Sequence, residues 1–461
     1  MRTSRKGVAS ALAAVTAVTL LAACGSSTEK DAGGGKQGGK VTISVEAWRP
    51  GSEQATIDTF NTQVAAFEKA HKNIKIEPKE WEWKGETFAT QLAGGTLPTT
   101  FRVPFTDGKG LIERQQIADI TDIVKALPYA SKFNPSVLAA AQSPDGRIYG
   151  LPTGVYGIGL HYNRSLFAKA GLDPNKPPTS WDEVQQYAKA IKDKTGVAGF
   201  GMMTKGNTGG WNLTTFTYAL GGRMEAVNGD TVEATVNNAG TKEALERIKA
   251  MRWTDGSMGS AALLDWSGIN QQFAAGKIGM YMSGSDVYQA LVQQNNIKPD
   301  DYGLALLPMS SSPDAGLLGG GSVVAVSAKA SKAQQKAAVT WNDYYYMRRL
   351  TEQAAAALDA KTLNDGKQPV GTPALPVFDE ATLTQYNDWI KPYVNVPLDQ
   401  MTAFTSGVFS QKLVSEPPAH TQELYGLLDS VVQKVLSDKN TDIDALLEKV
   451  NAQAQDVVAK S

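Results

Sequence analysis

"VTISVEAW" (Val41–Trp48), "ATIDTFNTQVAAFEKAH" (Ala55–His71) and "IKIEPKEWEW" (Ile74–Trp83) follow one another closely. The first alternates apolar and polar residues, as a strand with one buried face does. The second carries Ile57, Phe60, Val64 and Phe67 at helical spacing. The third reads as a strand again. "GETFATQLAGG" (Gly85–Gly95) then reads as a helix closed by Gly94 and Gly95. This strand–helix–strand rhythm predicts an α/β domain with a mainly parallel sheet.

The same rhythm continues downstream. "GRIYGLP", "GIGLHYN", "IGMYMSG", "YGLALLP" and "GSVVAVS" read as short strands. "WDEVQQYAKAIKDKTG", "NAGTKEALERIKAMRW", "SKAQQKAAVTWNDYYYMRRLTEQAAAAL" and "DIDALLEKVNAQAQDVVAK" read as helices. The chain shows no fixed-period repeat. No change of composition divides the body, so the domains are expected to exchange segments and not simply follow one another.

Upstream lies a different kind of sequence. The chain opens "MRTSRK", with Arg2, Arg5 and Lys6, and continues with an uncharged stretch from Gly7 to Ala23. A basic start, a short apolar run and small residues at its end describe a secretory signal over residues 1–23. "LAAC" (Leu21–Cys24) resembles a bacterial lipobox, in which the cysteine is acylated and becomes the new N-terminus. Cys24 is the only cysteine of the chain. After it, residues 25–40 hold no bulky apolar side chain, so 24–40 is expected to be a flexible tether. More than one acyl chain is needed for stable anchoring, and lipoproteins of this kind carry several, palmitate among them.

Composition bounds the rest. Of 461 residues, 42% are hydrophobic and 20% charged, an ordinary globular mix. Residues 1–23 carry three basic groups and no acid, so their removal takes the net charge from −1 to −4. That is no electrostatic footprint for nucleic acid. The body has length for two or three domains.

Catalytic constellations are missing from the pattern. His71, His161 and His420 are far apart, and no His or Cys stands at metal-ligand spacing. There is neither a Gly-x-Ser-x-Gly nor a Walker A motif. "GLLGGGSVV" precedes a strand, so it makes a poor phosphate cradle. Glu80 and Glu82 share a strand face, but glycoside hydrolysis needs a carboxylate pair set across the scissile bond, and a solvated pair is the simpler reading. The run Tyr344–Tyr345–Tyr346 points in three directions on a helix, so one tyrosine in the core and two near the surface are expected. No catalytic residue, cofactor or metal is predicted. The remaining signal is aromatic residues in or beside irregular segments: Trp48, Trp81, Trp83, Trp211 and Trp266. Flat apolar faces near loops suit sugar rings.

The stretch "SPDGRIYGLPTGVYGIGLHYNRSLFAKAGLDPNKPPTSWDEVQQYAKAI" (Ser143–Ile191) closely resembles the signature of the extracellular solute-binding proteins of family 1. So do "FAAGKIGMYMSG" (Phe273–Gly284), the region from Gly303 through "LLGGGSVVAVSAKASKAQQKAAVTWNDYY", and "GTPALPVF" (Gly371–Phe378). Members of that family, the maltose- and trehalose-binding proteins among them, are sugar receptors of ABC importers. The resemblance implies a two-lobed periplasmic-binding-protein-like α/β fold with three interlobe crossings, near Val155, Gly303 and Gly371. Lobe 1 would hold residues 41–155 and 304–370, and lobe 2 residues 156–303 and 371–461. Ligand would bind between the lobes, and hinge closure would trap it.

The same resemblance implies site residues. In "FRVPFTDGKG" these are Arg102, Phe105 and Asp107, although Pro98–Thr99–Thr100–Phe101 lacks the family's usual aspartate. Tyr156 would lie on the first crossing, Trp211 would stack on sugar, and Ser285 and Asp286 would replace a family tryptophan. Gly320 and Gly321 would let backbone approach the ligand, with Trp48 and Trp266 as further aromatic contacts. The resemblance further implies a carbohydrate ligand, ABC permease subunits as partners, a monomer, and a lipid anchor on the extracytoplasmic face of the cell membrane. Two rival readings are a lipid-anchored glycosidase and a sugar receptor that serves a sensor.

Overall fold

The computed structural model describes residues 40–52, 54–228, 231–260 and 263–459. The expected signal, Cys24 and nearly all of the tether lie outside the described residues. Eleven strands are present among those described: β1 (Val41–Trp48), β2 (Ile74–Glu80), β3 (Thr100–Pro104), β4 (Gly150–Asn163), β5 (Ala198–Phe200), β6 (Glu225–Asn228), β7 (Thr231–Ala234), β8 (Ile278–Gly284), β9 (Tyr302–Leu306), β10 (Leu317–Val326) and β11 (Leu413–Ser415). Nine form one sheet along the path β2-β1-β3-β10-β4-β8-β5, with β11 beside β10 and β9 beside β4. Strands β6 and β7 make a separate hairpin.

The opening motif forms as its periodicity predicts. β1 buries Ile43 and Val45, β2 buries Ile74 and Ile76, and the helix Gln54–Ala70 between them buries Phe60, Val64 and Phe67. The two strands pair in parallel. The next helix, Gly85–Gly94, ends at Gly95, whose φ of 67° is the left-handed cap that glycine adopts without cost.

The sheet as a whole is mixed and not mainly parallel. β1–β2, β1–β3, β5–β8 and β10–β11 are parallel. β3–β10, β4–β10, β4–β8 and β4–β9 are antiparallel. The antiparallel core arises because "GRIYGLP" and "GIGLHYN", read as two strands, form the single long strand β4. Its first half, to Gly157, pairs with β10, and its second half, from Ile158, pairs with β8 and β9. Val155 packs into one hydrophobic core and Ile158 into another; on β10, Val323 belongs to the first and Leu317 and Leu318 to the second. β4 and β10 thus run side by side from one core to the other.

Two sequence expectations are corrected. The long helix expected over residues 331–358 is interrupted. It runs Lys332–Asn342, widens into a π turn at Asp343–Met347, and resumes as Arg348–Thr351 and Gln353–Asp365. The π turn leaves Tyr344, Tyr345 and Tyr346 all half-buried against the first core, so none of the three is a core residue outright. Within residues 371–395, Phe378 bridges to Phe133, Val377 O accepts from Asn134 N, and Ile390 packs on Ala356, Ala360 and Val370. The turn Leu398–Gln400 and the short helix Thr402–Thr405 both contact β9, and the Phe404 ring lies against Gly159 on β4. The helix expected at the C-terminus spans Ile443–Val458 and packs on the helix Thr421–Ser437.

Candidate functional site

Tyr156 stands one residue before the point where β4 changes partners, and most of the expected site residues gather around it. Its ring meets Trp211 edge to face, with centroids 6.3 Å apart and planes at 71°. Opposite, a Cβ on Gly320 would lie 2.6 Å from Tyr156 Cζ and 3.2 Å from Glu416 Oε2. Glycine is therefore required at 320 by the Tyr156 ring itself. A Cβ on Gly321 would meet Phe105 Cζ at 3.1 Å. A Cβ on Gly284 would lie 2.7 Å from Asp286 Oδ1 and 3.6 Å from Tyr156 Cδ2. Phe105, Tyr156, Trp211, Asp286, Gly320 and Gly321 are thus brought together, with Ser285 beside Asp286.

Glu416 was not anticipated. It lies on the segment between β11 and the helix Thr421–Ser437, and Tyr425 Oη donates to its Oε1 at 3.1 Å. A glutamate ahead of Pro417–Pro418, in a loop that leaves the sheet, was the signal that could have found it. Burial, with the charge of Asp107 added, raises its pKa to about 7 against the opposing Tyr425 bond. The effect of Asp107 puts that carboxylate in the same group. Asp107 begins the helix Phe105–Glu113, accepts from Thr106 Oγ1 at 2.9 Å, and is itself raised by burial, with Thr106, Arg114 and Trp83 pulling the other way. Asp286 has surface open to water, yet protein surrounds it closely enough that lost solvation raises its pKa too. Tyr156 is pushed well up by burial and by the charges of Glu416 and Asp286.

Arg102 does a different job. Its backbone N–H donates to Glu46 Oε2 at 2.6 Å, and its Nε and Nη2 donate to Oε1 at 3.0 and 2.6 Å. This ion pair joins β1 to β3, beside Tyr345 and Tyr346. Trp48 is half-buried edge-on to Phe60, and Trp266 opens the helix Trp266–Ala274. Among the described residues no hydrogen bond, ion pair or ring pairing ties Arg102, Trp48 or Trp266 to the Tyr156 group.

A cavity of about 330 Å³ lies elsewhere, walled in part by Met202, Met258, Lys192 and Arg252. None of the expected site residues lines it. Lys192 already donates to Gly196 O, and Arg252 to Gly259 O and Leu436 O. The described residues hold no cluster of His, Cys, Asp or Glu fit for a metal ion, and no helix among them is long and apolar enough to cross a membrane.

The family model described as "Bacterial extracellular solute-binding protein" matches residues 62–364. The chain belongs to that family. The family is extracytoplasmic, and its members are binding proteins. Among curated relatives, the sn-glycerol-3-phosphate-binding periplasmic protein UgpB of Brucella abortus is 30% identical over 156 residues, 32% of this chain and 35% of the relative. The match therefore spans about a third of that relative's length. Among solved structures, the cyclic α-maltosyl-1,6-maltose binding protein of Arthrobacter globiformis aligns with a TM-score of 0.69 at 20% identity, over 92% of this chain and 100% of that one. The GacH receptor of Streptomyces glaucescens, solved in an unliganded form and with acarbose and an acarbose homologue, aligns with a TM-score of 0.63 at 19% identity, over 91% and 99%. These likenesses establish the two-lobed periplasmic-binding-protein fold.

Proposed function

We propose that the protein captures a carbohydrate in the cleft around Tyr156 and delivers it to the permease of an ABC importer. One observation carries the sugar reading: aromatic rings stand beside hydrogen-bonding atoms that no protein group satisfies. Tyr156 and Trp211 supply the faces. Glu416 Oε2 has no partner among the described residues, and the Ser285 hydroxyl is fully buried without one. Hydroxyl-rich ligands satisfy such acceptors, and buried polar groups left unpaired are costly. The ligands named for the maltosyl-maltose and acarbose receptors agree with this reading. The glycerol phosphate named for the Brucella relative fits less well. The acids Asp107, Asp286 and Glu416 would repel a phosphate, and the nearby cation Arg102 is engaged by Glu46.

A thermal-shift screen of the full-length protein over mono-, di- and oligosaccharides and glycerol 3-phosphate tests this. A ligand held only by the folded state raises the melting temperature. Sugars should raise it and glycerol 3-phosphate should not; the reverse pattern would contradict the reading. Glu416 beside Asp107 also has the raised pKa a glycosidase acid needs. On our reading the protein is not an enzyme, and chromogenic glycosides should remain unhydrolysed.

Our reading also places the mature N-terminus at an acylated Cys24, with the body tethered to the extracytoplasmic face as a monomer. Its support is the lipobox-like Leu21–Cys24 behind a signal-like sequence. Cys24→Ser should shift the protein out of the membrane fraction, and full retention there would contradict the anchor.

A further inference from the structure

We propose that this cleft, taken as the ligand site above, prefers a ligand that carries a protonated amine on a polyhydroxylated ring, and that Glu416 is the residue that reads the charge. The proposal rests on the sugar reading and narrows it. Two carboxylates approach Tyr156 from separate parts of the chain, Asp286 from the turn after β8 and Glu416 from the segment after β11, and the charge of Asp107, on the helix Phe105–Glu113, acts on Glu416. The ionisable groups that face Glu416 are Tyr425 and Tyr218 from two helices, Tyr156 from β4, and Asp107. No cation is among them.

Of the cations on this part of the chain, Arg102 is paired with Glu46, and Arg114 acts on Asp107 from an exposed position. Arg102 donates twice through its side chain to Glu46. Arg114 is exposed, and its Nε donates to Gln116 Oε1 at 3.3 Å. A second observation is independent of the acids. Ser285, next to Asp286, is fully buried with its hydroxyl unpartnered, a hydrogen-bonding group for which the protein supplies no partner.

Lobe closure over a neutral sugar would strip water from Glu416 and Asp286, which no facing cation offsets when they are ionised, a costly arrangement. A phosphate would add a further negative charge. An ammonium group offsets the charge and offers three donors to the acceptors present. Tyr156 and Trp211 add rings whose faces attract a cation. The ammonium could be carried by an amino sugar or by a simple polyamine. The unpartnered acceptors and paired rings favour the sugar.

Calorimetric titration of the full-length protein separates these cases. The probes are glucosamine mono- to tetrasaccharides, the glucose oligomers of the same linkage, spermidine, and glycerol 3-phosphate. The expected result is binding of an amino sugar at least tenfold tighter than its neutral counterpart, with no heat from spermidine or glycerol 3-phosphate. Glu416→Gln should erase that tenfold preference while the melting curve is kept. Should that variant fail to fold, Asp286→Asn serves the same purpose. Neutral sugars binding as tightly as amino sugars would overturn the charge preference and leave the sugar reading standing. Binding of spermidine or glycerol 3-phosphate without sugar would overturn both. Absence of heat from every amino sugar would overturn the preference.

Discussion

Glu225 sits at the start of β6 with one carboxyl oxygen, Oε1, buried and unpartnered and the other accepting from Ala419 N at 3.0 Å. Burial raises its pKa from 4.5 to about 7, with the Ala419 bond opposing. A raised carboxyl binds its proton more tightly in the folded state. Its stabilising contribution is therefore complete below pH 4.5 and is lost as pH rises through about 7. Glu225→Gln keeps the shape and removes the ionisation. The variant should match wild type in urea unfolding at pH 4 and exceed it by about 1–3 kcal/mol at pH 8. Equal stability at pH 8 would contradict this account. Residue chemistry of this kind was not legible in the sequence. Neither Glu225 nor Glu416 stands out in composition or spacing; what sets them apart is which chain segments fold over them. Trp211 drew notice as an aromatic after a glycine-rich turn, while Tyr156 and Arg102 were expected at the site only through the family resemblance. The ion pair of Arg102 was not legible, because Glu46 lies on a different strand.

Between elements, the contact that matters most is the helix Thr208–Ala219, which carries Trp211, against the helix Thr421–Ser437, which carries Tyr425. They touch through backbone. A Cβ on Gly210 would lie 2.5 Å from Tyr425 Cα and 2.7 Å from its carbonyl carbon, and backbone cannot swing aside as a side-chain tip does. Asp429, on the second helix, fastens the start of the first: its carboxylate accepts from Asn207 N and Gly210 N, both at 2.8 Å. Gly210→Ala should therefore destabilise the fold by about 1–3 kcal/mol, the usual scale of overpacking. It should also weaken ligand binding, because it pushes Tyr425 and its partner Glu416 away from Tyr156. Urea unfolding and calorimetric titration of one preparation check both effects, and unchanged stability would contradict the backbone contact. Elements were largely readable where hydrophobic periodicity acts alone, as in β1 and the helix after it. They were misread where neighbours decide. Nothing local shows that residues 150–163 make one long strand, since pairing with β10 along its first half and with β8 and β9 along its second makes it continuous. Nothing in the polar–apolar pattern of 331–358 shows the π turn that redirects Tyr345 and Tyr346.

At the scale of the whole molecule, β4 and β10 lie side by side as they pass from one core to the other, and Tyr156 and Gly320 face each other at that passage. On our proposal a ligand resting on Tyr156 would lie between the two lobes, and its contacts on either side would favour the closed arrangement. The expected third crossing near Gly371 rests on "GTPALPVF", a stretch that tertiary packing ties to Phe133 through Phe378. The measurement that tests the central claim most directly is calorimetric titration of the full-length protein and its Trp211→Ala variant with the sugar that gives the largest thermal shift. The account predicts saturable one-to-one binding by wild type, a loss of about 1.5–3 kcal/mol in the variant, and unfolding transitions that nearly coincide. Wild-type affinity in the variant, or loss of affinity only together with loss of the fold, would contradict it.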